Sequence, residues 1–171
     1  SKEVINWTQG DVMNQFISGN IAMMVNGPWQ VPTMREQAPD LNWDVTLLPK
    51  DAEYASCLGG ENFGVIDGDN VDAALDFLQF ATSKDEVASY IDDFGYIAAR
   101  KDVAEGQFTD DETMQKFTEE MQYAQPRGPH AQWPEISDAL SLAVNESITG
   151  TSTPADAAAK AQSTIDGILA E

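Results

Sequence analysis

The chain has 171 residues, of which 42% are hydrophobic and 22% are charged, close to the averages of globular proteins. This composition excludes a disordered or fibrous chain. Acidic side chains number 29 against 9 basic ones, a formal net charge of -20, and such a surface repels phosphate backbones and anionic lipid headgroups. We therefore expect neither nucleic-acid binding nor membrane-surface binding.

Cysteine and histidine are each present once, as Cys57 and His130. A single cysteine forms no internal disulfide, and the two residues together do not supply the ligands of a structural zinc site. We expect Cys57 to be a small core residue and predict no metal and no cofactor. The first four residues do not resemble an export leader, so we expect that the leader of an exported protein would be missing from this chain. No apolar stretch approaches the ~18 residues of a membrane span, so we expect no direct membrane insertion.

The first half of the chain predicts two helices and several short strands. Apolar spacing predicts a helix over residues 11–19, and Pro28 is suited to the first turn of a second helix that reaches residue 37. The apolar run over residues 21–25 between them is typical of a strand buried on both faces. Further strands are predicted over residues 43–48 and 63–66, with a polar loop through Ser56 between them.

The second half is predicted to be mainly helical. Residues 72–80 have helical apolar spacing, and residues 83–86 look like the N-terminal cap of the next helix. Three more helices are predicted over residues 111–124, 136–148 and 154–169, the last with Thr153 as its cap and Pro154 in its first turn. The fold class is therefore α/β and helix-rich.

Motifs of common catalytic sites are absent from the sequence, which contains no GxGxxG, Walker A, GxSxG or HExxH pattern. Its runs of adjacent carboxylates point in different directions on a helix and are typical of solvated faces. His130 lies in a proline-flanked loop without the partner that a nucleophilic triad needs. These observations predict that the protein is not an enzyme.

Several aromatic and polar side chains stand at predicted loop ends. An indole ring can cover the apolar face of a pyranose, while carboxylate, amide and guanidinium groups bond its hydroxyls. Each of these side chains can also be explained by an ordinary structural role, since a tryptophan after Gly-Pro often fills a core and paired glycines often mark a turn. The candidate binding residues are Trp29, Gly59, Gly60, Glu61, Asn62 and Arg127.

The segment from Phe16 to Trp29 follows the pattern F-x-x-G-x-x-A-M-x-x-x-G-x-W. It resembles family 1 of the extracellular, periplasmic-type solute-binding proteins of ABC sugar importers, which includes the maltose binder. The likeness continues in order through the Gly59-Gly60 pair and the Pro126-Arg127 turn to the closing helices. It implies a partial periplasmic-binding-protein-like fold of type II.

The resemblance also implies a division into lobes that close on a solute about a hinge. Residues 1–62 and 109–171 would belong to the C-terminal lobe, and residues 63–108 to the N-terminal lobe. Trp29 would stack on the sugar, and the loop after the glycine pair would face the cleft together with Arg127. Ser137 stands where the maltose binder has a second stacking tryptophan, which argues against a maltodextrin preference.

Partners and location follow from the same resemblance. The protein would capture a sugar or oligosaccharide outside the cytoplasm, as a periplasmic protein or a cell-surface lipoprotein, and deliver it to an ABC permease. Family members are longer, so the chain looks like a fragment corresponding to their final portion. Apolar surface left uncovered in a fragment favours association, and we expect a homodimer or a segment swap.

Two other functions remain open at this point. A carbohydrate-active hydrolase would need two acids facing each other at ~5–10 Å across a cleft, and of the acidic candidates only Glu61 resembles a cleft residue. An acidic helical interaction module would dock a basic partner and bury its tryptophans. An exposed Trp29 favours ligand capture, opposed carboxylates with raised pKa favour hydrolysis, and a buried Trp29 favours the module.

Overall fold

The computed structural model of the chain describes residues 2–170 and divides them into two compact units. One unit comprises residues 13–126, and the other joins the first twelve residues to the segment from Arg127 onward. The α-helices are α1 Gln9–Ile17, α2 Val31–Gln37, α3 Val71–Ala81, α4 Lys84–Tyr90, α5 Lys101–Ala104, α6 Glu112–Glu120, α7 Trp133–Thr149 and α8 Pro154–Leu169. The strands are β1 Ser56–Leu58 and β2 Ala124–Pro126, and short 3-10 turns cover Lys2–Asn6, Pro28–Gln30 and Met121–Tyr123. The helix-rich α/β class is confirmed.

The helices that the sequence predicts are present, because their signals are local. Thr153 caps α8 by accepting a hydrogen bond from the Asp156 N–H at 3.2 Å, and Pro154 occupies the first helical position. The Asp111 carboxylate caps α6 by accepting from the Met114 N–H at 3.1 Å. The short helix α5 was not predicted.

The predicted strands over residues 21–25, 43–48 and 63–66 were wrong. None of these segments is a strand, and Met23 and Val25 are 86% and 77% exposed rather than buried on both faces. Residues 43, 45 and 47 are half-buried while 44 and 46 are exposed, which is strand-like alternation without a paired neighbour. A strand needs the backbone of a partner, and these segments have none among the described residues.

The strands that do form lie elsewhere in the unit of residues 13–126. β1 and β2 pair in parallel, with Ser56 opposite Ala124 and Leu58 opposite Pro126. Residue 56 therefore begins a strand instead of ending a polar loop. The expectation that Cys57 is a core residue was also wrong, because its side chain is exposed on this isolated two-stranded ribbon.

Two apolar clusters form the core of this unit. The first contains Met13, Met34 and Ala38, with Trp43 and Met24 among the half-buried side chains packed on it. The second contains Val87, Ala98 and Val103, so it joins α4 to α5. Met34 is almost fully buried and fixes the inner face of α2, the helix that follows the turn carrying Trp29.

The other unit is built on the antiparallel neighbours α7 and α8. Gly150 ends α7 in the left-handed conformation at φ 77°, which favours glycine at a helix C-terminus. Ala157 and Ala161 are buried, and the Lys160 ammonium pairs with the Glu146 carboxylate at 2.7 Å. The assignment of residues 63–108 to the N-terminal lobe of a two-lobed protein stays a prediction.

Among residues 2–170, every helix falls short of the length or the apolar character needed to cross a membrane.

A candidate ligand-binding site at the Trp29 turn

Trp29 lies in the 3-10 turn Pro28–Gln30, which leads directly into α2. Pro28 starts this turn because its fixed φ suits the first helical position, and the Gln30 N–H donates to the Gly27 carbonyl at 3.1 Å. The side chain of Trp29 is 36% exposed. One part of the indole is therefore packed on the protein, and the rest is open to solvent.

The indole folds back over Gly27. A Cβ atom at this glycine would lie 2.1 Å from Cη2 and 2.2 Å from Cζ3 of Trp29, distances at which the ring would have to move. The Gly27 N–H donates to the Oδ1 of Asn26 at 3.0 Å, which orders the chain just before the turn. The glycine and the tryptophan of the G-x-W motif are therefore parts of one packing arrangement.

Tyr96 packs against Trp29 from a loop between α4 and α5. The two ring centroids are 6.0 Å apart and the ring planes are inclined by 35°. Tyr96 is 39% exposed, so both rings keep an accessible part. Its neighbour Gly95 has a φ of 66°, and a Cβ there would lie 2.9 Å from the Pro28 carbonyl oxygen and from the Cδ of Pro32.

Gln107 fixes the loop that carries Tyr96. Its Nε2 donates to the Tyr96 carbonyl at 3.1 Å and also to the Asp92 carboxylate. Its Oε1 accepts from the Ala98 N–H at 2.7 Å. The amide therefore bonds three points of the loop. Sequence reasoning missed both Tyr96 and Gln107, and no local signal identifies a contact between residues 67 positions apart.

An ion pair holds α2 to the beginning of α6. The Arg35 guanidinium donates to both carboxylate oxygens of Asp111, each at 2.8 Å. Hydrogen bonds from the Arg35 guanidinium and from the Met114 N–H lower the pKa of Asp111, and the hydrogen bond to Asp111 raises the pKa of Arg35. This bidentate geometry restrains the helix that continues from the Trp29 turn.

The loop after β1 is built differently. Gly59 and Gly60 have nothing within 4 Å of the position of a Cβ atom, and Glu61 and Asn62 are exposed. No hydrogen bond, ion pair or ring contact among the described residues joins this loop to Trp29. The predicted contacts of these four residues with a sugar stay a prediction.

Arg127 lies at the start of the second segment of the other unit, where its side chain is exposed. It follows β2, whose Pro126 pairs with Leu58. Its predicted contact with a sugar stays a prediction.

The acidic groups with shifted pKa are structural. The pKa of Asp11 is lowered by hydrogen bonds from the backbone and side chain of Thr8, and that of Asp102 by hydrogen bonds from Arg100. A catalytic proton donor needs a pKa that is raised rather than lowered.

The His130 Nδ1 accepts a hydrogen bond from the Gln132 N–H at 3.2 Å. Residues 2–170 contain no cluster of three histidine, cysteine or acidic side chains that could hold a metal ion.

Comparison with known proteins identifies the family. A family model described as bacterial extracellular solute-binding protein matches residues 1–116, which is more than half of the chain. The chain belongs to this family. The matched region includes the Trp29 turn, Tyr96 and the loop after β1, and it ends before Arg127.

Curated relatives from Brucella agree with this assignment. Proteins of Brucella abortus strain 2308, Brucella abortus biovar 1 strain 9-941 and Brucella suis biovar 1 strain 1330 are each 28% identical over 166 residues. Their names describe them as candidate binding proteins. The alignments cover 92% of this chain and 40% of each relative, so the chain spans well under half the length of the relatives it matches.

Proposed function

We propose that the chain is part of the substrate-binding component of an ABC transporter and contributes to capture of a sugar or oligosaccharide in a cleft between two lobes. The observation that carries this proposal is the Trp29 indole, which is held against Gly27 and Tyr96 while about a third of its surface stays open. A fixed, partly open indole suits stacking on the C–H face of a pyranose. Membership of an extracellular solute-binding family supports it.

Polar groups of the predicted site would bond the hydroxyls of the sugar. Glu61 and Asn62 are exposed and have side chains of the required type, and the open glycines before them leave backbone groups accessible. Arg127 is exposed as well. Their meeting around one ligand is part of the proposal, since closure of lobes about a hinge is the motion that would assemble such a rim.

The remaining proposals concern location and partners. We place the whole protein in the periplasm or on the cell surface as a lipoprotein, with an ABC permease as its partner. We also propose that the chain in isolation forms a homodimer or segment swap, because Met23, Ile66 and Phe77 are large apolar side chains with mostly exposed surfaces. Light scattering of the chain over a range of concentrations tests this association. A chain that is monomeric at all concentrations and unfolds cooperatively in a thermal melt contradicts it.

Isothermal titration of the intact gene product against a panel of mono- and oligosaccharides tests sugar capture. We expect micromolar binding of at least one sugar and a loss of about tenfold or more in Trp29→Ala, since one stacked ring contributes about 1–1.5 kcal/mol. Phe94→Ala is the control, because Phe94 is an exposed aromatic side chain that packs on Tyr90. The proposal is contradicted if the folded wild-type protein binds none of the saccharides, or if Trp29→Ala binds with unchanged affinity.

A further inference from the structure

We infer that Tyr96 is a positioning residue that holds the Trp29 indole in the orientation in which it stacks on the ligand. This inference rests on the proposed function, because it assigns to Tyr96 a role in the binding that Trp29 performs. Tyr96 acts through the tryptophan, and its effect on affinity comes from ordering that ring before the ligand arrives.

The two rings are in contact. With centroids 6.0 Å apart and planes inclined by 35°, the rings are within the range in which aromatic pairs attract each other beyond simple burial. Gly27 bounds the ring in a second direction, because a Cβ atom added there would collide with the six-membered ring of the indole. The ring is therefore bounded by Gly27 and Tyr96 and is open elsewhere.

Tyr96 lies on a backbone segment that is itself fixed. Gly95 touches the Pro28 carbonyl and the Pro32 ring so closely that no side chain fits there, and it holds a φ of 66° that favours glycine. The Gln107 Nε2 also donates a hydrogen bond to the Tyr96 carbonyl. A ring on a loop held in this way can restrain its neighbour, whereas a mobile ring cannot.

Ordering of the Trp29 ring before binding raises the affinity for a ligand. An unrestrained tryptophan side chain must lose rotamer freedom when a sugar stacks on it, and this ordering opposes binding. A ring already held in one orientation avoids that loss. Removing the aromatic ring of Tyr96 should consequently weaken binding even though Trp29 is still present.

Acrylamide quenching of Trp29 fluorescence tests the positioning role without any ligand. The Trp29 signal is obtained as the difference between each protein and its Trp29→Phe counterpart, because the chain has four tryptophans. In Tyr96→Leu, which keeps apolar volume but lacks the aromatic ring, we expect quenching to increase. Tyr96→Phe should behave as wild type. Phe94→Ala is the matched control, since Phe94 lies in the same loop but packs on Tyr90.

Saccharide affinity of the same intact variants completes the test. We expect Tyr96→Leu to weaken binding about threefold to tenfold, with Tyr96→Phe and Phe94→Ala within about twofold of wild type. Unchanged quenching in Tyr96→Leu overturns the inference, as does unchanged affinity when Trp29→Ala loses binding. If the wild-type protein binds no saccharide, the proposed function fails, and increased quenching then shows that Tyr96 only packs on Trp29. A thermal melt confirms folding, and Tyr96→Ile replaces a variant that does not fold.

Discussion

The turn at residues 27–30 and the loop at residues 59–62 belong to one compact unit and carry five of the predicted site residues, but they are built in opposite ways. At the turn, Gly27 and Tyr96 confine the Trp29 indole, and Gly95 touches the turn itself. In the loop, Gly59 and Gly60 face open space and the following side chains are exposed. Two segments that look equally suited to binding therefore differ in how far they are preorganised.

The fixed turn and the open loop would contribute to binding in different ways, because only the turn is ordered before a ligand is present. A stacking ring gains from being fixed, because its orientation determines how much of a sugar face it covers. Hydrogen-bonding groups on an open loop can adapt, and they become ordered only on binding. Substitutions at the glycines of the two segments test directly whether the turn is more rigid than the loop.

The largest effect is expected for Gly95→Ala. Alanine at a φ of 66° costs about 1–2 kcal/mol, and its Cβ would meet the Pro28 carbonyl at 2.9 Å, where the backbone cannot easily give way. We expect a loss of about 2–4 kcal/mol in the free energy of unfolding, measured by urea denaturation. A loss below about 0.5 kcal/mol would show that this contact does not restrain the turn.

A smaller loss of stability and a clear change at Trp29 are expected for Gly27→Ala. The new Cβ would lie 2.1 Å from the indole, so the ring must swing away at a cost of about 1–3 kcal/mol. Acrylamide quenching of Trp29 should increase, and saccharide affinity of the intact protein should fall. Wild-type quenching in this variant would contradict the observed packing of the indole over Gly27.

The ion pair behind the turn should give a pH-dependent effect in Asp111→Asn, which keeps a capping side chain but removes the charge. At neutral pH we expect a loss of about 0.5–1 kcal/mol, because the pair is partly exposed. The folded pKa of Asp111 is lowered from 3.8, so its contribution is present above that value and is lost as pH falls through the lower folded value. The melting temperatures of the wild-type protein and Asp111→Asn should be measured from about pH 2 to about pH 7, a range that covers the titration of an aspartate. The two melting temperatures should differ near neutral pH and converge at the acidic end.

The smallest effect is expected for Gly60→Ala. Nothing lies within 4 Å of the new Cβ, and this glycine is not among those with positive φ. The free energy of unfolding should change by no more than about 0.5 kcal/mol, and Trp29 quenching should stay at its wild-type value. A destabilisation as large as that of Gly27→Ala would remove the distinction between the fixed turn and the open loop.

Local signals account for what was predicted correctly. Thr153 with Pro154 marks a helix start within two residues, and apolar spacing marks the other predicted helices. The strands over residues 21–25 and 63–66 were predicted from apolar runs alone, and such runs do not specify a partner. The family-like segment ending at Trp29 pointed to the candidate site, whereas Tyr96 and Gln107 were found only in the structure.

The helix-rich class, the Thr153 cap and the membership of the extracellular solute-binding proteins could be predicted from the sequence alone, since each is recorded in short stretches or in the order of motifs. The pairing of β1 with β2, the exposure of Cys57 and the contact between the Tyr96 and Trp29 rings became known only from the tertiary structure. The reason is physical: helices satisfy their hydrogen bonds within one segment, whereas strand pairs and ring contacts need groups that lie far apart along the chain.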